Sequence, residues 1–183
     1  MDVFLVAVPQ TAGSALYGMV DVLAATGSIW QTLARSGESG QVFNPVIVSE
    51  RREPFLCGNG IPVQPAVAID EIGAAEVVIV PELWLGPDED LKGRYPGLIA
   101  WLRAMHRAGA HLYSACSGAI MLAETGLLDG RSATSHWGYQ DLFRHRYPSV
   151  RFQPEPNLCL ADDAGRIVTA GGTTSWHDLA LHI

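Results

Sequence analysis

Residues 111–120 read HLYSACSGAI, in which an apolar run leads to a lone cysteine, Cys116, with small residues on both sides. The pattern predicts a β-strand over 111–115 and a helix over 117–125 that Gly126 ends. A strand that joins a helix through a turn of small residues is typical of a nucleophile elbow, which presents one side chain over the carboxyl ends of parallel strands. We therefore expect the Cys116 thiol to face a small polar pocket.

Strands and helices alternate on either side of this turn. The expected elements are buried strands over 3–8, 43–49 and 77–80, a loop or short hairpin over 57–65, a helix over 16–26, and a helix from Pro96 to a stop at Gly109. Short apolar runs of this kind are typical of strands covered on both faces. The alternation predicts an α/β fold with a doubly wound, mostly parallel sheet and right-handed crossovers.

The composition is that of one globular domain. The chain has 183 residues, of which 48% are hydrophobic and 17% charged, and its formal net charge is −7. Direct binding to a nucleic-acid backbone needs clustered Lys and Arg, so this acidic chain is not expected to bind DNA by itself. The first apolar run is too short for a signal-peptide core or a membrane span, so we expect a cytoplasmic protein without membrane contact.

The cysteines and glycines indicate neither a metal site nor a cofactor. Cys57, Cys116 and Cys159 are widely spaced and odd in number, which excludes a disulfide framework and a CxxC-type metal site. The glycines over 58–60 and 171–172 lack the strand and helix context of a dinucleotide site and are expected to form turns.

Cys116 and His136 are the candidate reactive pair. A helix that begins after Cys116 would favour the thiolate and lower the pKa of the thiol. His136, in the stretch ATSHW over 133–137, could act as the base for that thiol or as a cation that stabilises the thiolate. The alternatives are that Cys116 is a small buried hydrophobic residue and that His136 has a structural hydrogen bond.

Four stretches together resemble the ThiJ/PfpI branch of the class I glutamine amidotransferase-like superfamily. They are YSACSGA over 113–119, AETGLLDGRSATSHW over 123–137, VVIVPELWLGP over 77–87 and RIVTAGGTTSWHDLALHI over 166–183. More specifically, they resemble the amidase-like N-terminal domain of AraC-type transcriptional regulators. It implies a flavodoxin-like three-layer α/β/α sandwich, an unknown small-molecule ligand, a homodimer, and DNA contact only through a helix-turn-helix domain that follows.

The last stretch bears on the domain organisation. Residues 175–178, SWHD, have the spacing of a capping box with Asp178 in place of Glu, and they open a predicted helix that continues to Ile183 without a stop signal. A natural, frayed terminus would explain this. The resemblance favours the other explanation, in which 1–183 is a single ligand-sensing domain and the C-terminal helix-turn-helix domain is missing here.

Departures from the enzymes of the superfamily indicate lost catalysis. The resemblance implies a His directly after the cysteine in PfpI-type proteases, where this chain has Ser117. It also implies a carboxylate early in the first helix of hydratases and deglycases. Aligning the stretch that begins at Gly18 puts that position at Ala15, and Asp21 falls elsewhere. A protease is therefore not expected, and the acid of the other enzymes is missing.

The turn after the 77–80 strand also differs from that of the related enzymes. Related enzymes commonly have Gly-Gly there, whereas this chain reads Pro81-Glu82-Leu83. Glu82 would raise the pKa of the thiol by charge repulsion or share a proton with it, and it would weaken stabilisation of an oxyanion. It also offers a contact for a ligand amine or guanidinium. The alternative is that Glu82 faces solvent.

We therefore expect a non-catalytic regulatory domain with a ligand pocket. The residues predicted to line the pocket are Ala15, Gly18, Glu82, Leu83, Cys116, Ser117, His136 and Trp137. A second hypothesis is a thiol-dependent enzyme of the isonitrile hydratase or amidase type, with Cys116 as nucleophile and His136 as base. A third is an oxidation sensor, which requires a low pKa of the Cys116 thiol.

Overall fold

The computed structural model describes residues 1–34 and 40–183. The α-helices are α1 (Gly13–Ala25), α2 (Ile29–Ala34), α3 (Pro96–Arg107), α4 (Gly118–Glu124), α5 (Gln140–Arg146) and α6 (Ser175–His182). The β-strands are β1 (Asp2–Val6), β2 (Asn44–Ser49), β3 (Phe55–Cys57), β4 (Ile61–Val63), β5 (Val67–Ala68), β6 (Val77–Val80), β7 (His111–Ala115), β8 (Ser132–Ala133), β9 (Arg151–Phe152), β10 (Leu158–Leu160) and β11 (Ile167–Ala170). In these described ranges, no helix is long and apolar enough to cross a membrane.

The central sheet has the strand order β10-β11-β7-β6-β1-β2-β5, with β10 antiparallel to its neighbour and the other pairs parallel. Val80 pairs with Ser114, and Ala170 pairs with Ala115. The carboxyl ends of β6, β7 and β11 therefore meet at one edge of the sheet. The predicted doubly wound, mostly parallel sheet is confirmed.

Two hydrophobic cores cover the two faces of the sheet. On β1, Val3 and Leu5 point into a core with α1 and α6, whereas Phe4 and Val6 point into a core with α3, α4 and α5. Alternate side chains of a strand lie on opposite faces, so a run of apolar residues is buried twice. The result is the three-layer α/β/α sandwich that the family resemblance implied.

Two local predictions have different outcomes. The 57–65 stretch contributes to an antiparallel hairpin of β3 and β4, with Asn59 in a left-handed backbone at φ 60° in the turn. The predicted capping box at the last helix is wrong. Thr174 is the N-cap residue and makes no side-chain cap, while Ser175 Oγ donates to the Gly172 carbonyl at 3.1 Å.

Candidate functional site

The backbone at Cys116 has the geometry of a nucleophile elbow. Cys116 follows β7 directly and has a φ of 51°, a left-handed conformation that is rare outside glycine. Its N–H donates to the carbonyls of Ala170 and Gly171 at 3.0 and 3.1 Å. A Cβ at Gly118 would lie 2.3 Å from the Val80 carbonyl oxygen, so the first residue of α4 has to be glycine. The sharp turn thus depends on small neighbours, as the sequence predicts.

The turn after β6 is held against this elbow. Ser117 Oγ accepts a hydrogen bond from the Leu83 N–H at 2.8 Å and donates one to the Leu83 carbonyl. The Ala12 N–H donates to the Glu82 carbonyl at 2.8 Å. In this arrangement Glu82 Oε1 lies 3.8 Å from Cys116 Sγ, which allows a weak hydrogen bond from the thiol.

The surroundings of Cys116 favour the protonated thiol. The residue is 5% exposed. Its burial, followed by the negative charge of Glu82, raises the pKa of Cys116 to about 11. The N–H groups of Ser117 and Thr173 oppose this rise and are outweighed. The expectation that the following helix lowers this pKa is wrong, because desolvation of a buried thiolate outweighs the donors around it.

The Glu82 carboxylate contacts the thiol, although part of the side chain is also exposed to solvent. It is partly buried, and burial raises the pKa of its carboxyl, whereas the Cys116 hydrogen bond and the charge of His136 lower it. Among the ion pairs of the described residues, none involves Glu82. The cavity lining therefore holds this carboxylate with His136 nearby and with neither Lys nor Arg.

His136 lies beside the same pocket in a defined orientation. Its Nδ1 accepts a hydrogen bond from the Gly138 N–H at 3.1 Å, so the neutral ring carries its proton on Nε2. Gly172 packs on the ring so closely that a Cβ there would lie 2.3 Å from His136 Cδ2. In the described part of the chain, no hydrogen bond joins this ring to Cys116. The role of His136 as a base for this thiol therefore stays a prediction.

A cavity of about 290 Å³ opens at the carboxyl ends of the strands. Its lining consists of Glu82, Leu83, Trp84, Leu85, Pro87, Cys116, His136, Gly138 and Tyr139. A larger hollow of about 540 Å³ lies at the opposite end of the sheet, where β7 begins, and contains none of the predicted site residues. The smaller cavity is the candidate site because it contains the thiol and the carboxylate.

Four members of the predicted pocket set line this cavity, namely Glu82, Leu83, Cys116 and His136. The structure places the others differently. Ser117 is fully buried and bound to the backbone of Leu83, and Ala15 is fully buried within α1. Gly18 packs on Trp176 of α6, where a Cβ would lie 2.4 Å from the indole. Trp137 is 70% exposed and is not among the lining residues.

The predicted set lacks the aromatic walls of the cavity. Tyr139 lies on a 3₁₀ turn after His136, and its hydroxyl donates to the Leu85 carbonyl at 2.8 Å. Burial, followed by the nearby Cys116, raises the pKa of Tyr139. Trp84 directly follows the Pro81–Leu83 turn. Position next to a predicted site residue is the signal that could have identified both.

The site brings a thiol, a carboxylate and an imidazole together around one cavity. Its thiol is protonated at neutral pH, and its imidazole is turned to the backbone. Within 1–34 and 40–183, no three His, Cys, Asp or Glu side chains are grouped to hold a metal ion. Proton abstraction from Cys116 would have to rely on Glu82, whose negative charge also disfavours the resulting thiolate.

Two relatives share most of this chain. The HTH-type transcriptional regulator CdhR of Pseudomonas aeruginosa is 35% identical over 129 residues, which cover 70% of this chain and 36% of the regulator. Isonitrile hydratase of Pseudomonas putida is 28% identical over 132 residues, which cover 70% of this chain and 52% of the enzyme. The chain thus matches about a third to a half of the length of these relatives.

A solved structure and a family model also match this chain. The crystal structure of DJ-1beta from Drosophila melanogaster matches with a TM-score of 0.75 at 17% identity, over 99% of this chain and 87% of the other, which supports the flavodoxin-like fold alone. The model of the DJ-1/PfpI family matches residues 19–183. The chain belongs to the DJ-1/PfpI family.

Proposed function

We propose that this chain is the ligand-sensing, non-catalytic domain of an AraC-type transcriptional regulator. The observation that carries the proposal is a formed cavity whose thiol has a raised pKa and, among the described residues, no hydrogen bond to a histidine, because such a site can bind a molecule without reacting with it. The 35% identity to an HTH-type regulator supports the same role.

The ligand would carry a positively charged group. The cavity lining contains Glu82 and neither Lys nor Arg, so a cationic ligand would supply the missing counter-charge. Trp84 and Tyr139 add aromatic faces, which attract ammonium and guanidinium groups. We propose a small amine or guanidine whose cationic group lies at the Glu82 carboxylate.

Binding would act on the segment between β11 and α6. Gly171 accepts from the Cys116 N–H, and Gly172 packs on His136, so this segment contacts the cavity residues on two sides. A ligand that prefers one position of His136 would shift α6. We further propose a cytoplasmic homodimer in which a separate helix-turn-helix domain contacts DNA, since the domain itself has a net charge of −7.

Calorimetric titration with a panel of small primary amines, quaternary amines and guanidines tests this proposal. Its controls are the uncharged amides of similar size. We expect a cationic compound to bind wild type and to bind Glu82→Gln at least about tenfold more weakly, which corresponds to about 1.4 kcal/mol. The bound compound should also change the DNA affinity of the intact regulator. Equal binding of charged and uncharged compounds to both proteins would contradict the ligand class.

A second candidate function is a thiol-dependent enzyme of the isonitrile hydratase or amidase type. The intact elbow and the 28% identity to an isonitrile hydratase favour it. Turnover of isonitriles, nitriles, amides and glyoxals by wild type and Cys116→Ala separates the two functions. Turnover that only the wild type shows would establish the enzyme, and equal background rates would support the binding domain.

The oxidation-sensor hypothesis loses its physical basis. A sensor thiol needs a substantial thiolate population near neutral pH. The pKa of Cys116 is instead raised to about 11, above the reference value of about 8.5 for a free cysteine.

A further inference from the structure

We propose that Glu82 acts as a positioning residue that holds the proton on Cys116 and thereby keeps the elbow thiol unreactive. The inference rests on the proposed function, since an unreactive thiol suits a pocket that binds its ligand without chemistry. It extends that function by assigning to one carboxylate two roles, contact with the ligand and protection of the sulfur.

The first support is the contact between the two side chains. Glu82 Oε1 lies 3.8 Å from Cys116 Sγ, so the S–H can donate to the carboxylate. Loss of the thiol proton would place two negative charges at that distance inside a site where Cys116 is 5% exposed. Water is largely excluded from the sulfur, so the repulsion is poorly screened.

The second support is the fixed position of the Glu82 backbone. Its carbonyl accepts from Ala12, and the next residue, Leu83, is bound through both backbone groups to Ser117. Ser117 is itself the residue after Cys116. The backbone that carries the carboxylate and the residue that follows the thiol thus belong to one hydrogen-bonded unit, which places the Glu82 side chain within reach of the sulfur.

The other groups around the sulfur do not cancel this effect. The N–H groups of Ser117 and Thr173 favour the thiolate but are outweighed by burial and by Glu82. The titratable residues that share the cavity lining are His136 and Tyr139. His136 lowers the pKa of Glu82 and so opposes part of the rise that burial causes there.

The position of this acid differs from that in the enzymes that the sequence resembles. There the acid belongs to the first helix, where this chain has the fully buried Ala15. Here a carboxylate reaches the sulfur from the turn after β6. This turn is hydrogen-bonded to the residue before α1, through the Ala12 N–H and the Glu82 carbonyl, and here the carboxylate accompanies a thiol whose pKa is raised.

Alkylation of Cys116 by iodoacetamide tests the inference. The thiolate sulfur displaces iodide to form an S–C bond, and the thiol proton passes to solvent, so the rate follows the thiolate population. The rate is measured against pH from the mass-spectrometric yield of the Cys116 peptide, which separates it from Cys57 and Cys159. Ultraviolet absorbance of the thiolate, compared with Cys116→Ala, gives the pKa independently of reagent access.

We expect Glu82→Gln to lower the pKa of Cys116 and to speed its alkylation at pH 8. The gain is about threefold for each unit of pKa, because a tenfold larger thiolate population is partly offset by lower nucleophilicity. The exposed Glu53→Gln removes the same charge elsewhere and should leave both values unchanged. Glu82→Asp keeps the charge on a shorter side chain. Its Cys116 pKa and alkylation rate should lie between those of wild type and Glu82→Gln.

An unchanged pKa of Cys116 in a folded Glu82→Gln protein would overturn the inference. So would an equal fall in the Glu53→Gln control. Circular dichroism establishes folding, and if Glu82→Gln does not fold, the folded Glu82→Asp variant decides by the same criterion. The calorimetric titrations judge the proposed function separately, because a cation can bind at Glu82 whether or not this carboxylate controls the thiol.

Discussion

Ser117 is hydrogen-bonded through its hydroxyl to both the N–H and the carbonyl of Leu83, with all three groups buried. We predict that Ser117→Ala lowers the free energy of unfolding by about 1–3 kcal/mol, because it leaves buried backbone groups without partners. Urea unfolding measures the change. Ser14→Ala, at an exposed position of α1, is the matched control and should have little effect. Equal stability of the two variants would show that the hydroxyl does not fasten the turn.

Gly118→Ala tests the close packing at the elbow. The added Cβ would lie 2.3 and 2.6 Å from the backbone oxygens of Val80 and Pro81, which cannot rotate away. We expect a loss of about 1–3 kcal/mol or more in the free energy of unfolding. Gly73→Ala, where no atom lies within 4 Å of the added group, should be close to wild type in the same thermal and urea measurements. A normally stable Gly118→Ala protein would contradict the packing.

The pH dependence of stability reports on Glu82. Because burial raises the pKa of this carboxyl above 4.5, the folded chain holds the proton more tightly than the unfolded chain. The contribution of Glu82 to stability is therefore fully present below pH 4.5 and is lost as pH rises through the raised pKa. The free energy of unfolding of wild type, minus that of Glu82→Gln, should therefore fall as the pH rises from 4.5 through the raised pKa of Glu82. At higher pH this difference should stay constant.

Urea unfolding of both proteins in steps from pH 4 upward, at constant ionic strength, measures that difference. The subtraction removes the contributions of all other titrating groups that the two proteins share. A difference that stays the same at every pH, or that favours wild type as pH rises, would show that Glu82 is not desolvated in the fold.

Gly172→Ala tests the orientation of His136. The new methyl group would overlap the imidazole at Cδ2, so the ring must turn and lose the hydrogen bond from the Gly138 N–H. We expect a folded protein whose NMR signals of His136 shift and whose affinity falls for any cationic compound that the calorimetric panel identifies. Gly73→Ala again serves as the control. Unchanged His136 signals would mean that the 171–173 segment does not determine the ring position.

The strands β1, β2, β6 and β7 and the elbow could be predicted from the sequence because their signals are local, whereas the buried strand β11 was not predicted. The apolar runs 77–80 and 111–115 match β6 and β7, because a strand that is buried on both faces appears in the sequence as a continuous apolar run. The antiparallel edge strand β10 was not predicted. Its side chains are only partly buried or exposed, so its residues lack the continuous apolar pattern of the central strands.

The electrostatics of the site could not be predicted with the same success. The sequence places Cys116 before a helix, which favours the thiolate, and places Glu82 after a strand, which disfavours it. Which effect prevails depends on how deeply the sulfur is buried, and that depth is set by contacts of Leu83 and Ser117 that join distant parts of the chain. Likewise, Tyr139 reaches the cavity only through the turn that follows His136.

The left-handed backbone at Cys116 has a consequence for how such domains can diverge. That conformation is maintained by bonds from the peptide N–H and by the missing side chain at Gly118, and the sulfur takes no part in either. Exchanging the thiol for another small group would leave the cavity outline in place. A gene encoding this scaffold could therefore exchange the side chain at the elbow by a single codon change, while the geometry of the turn that presents it is inherited intact.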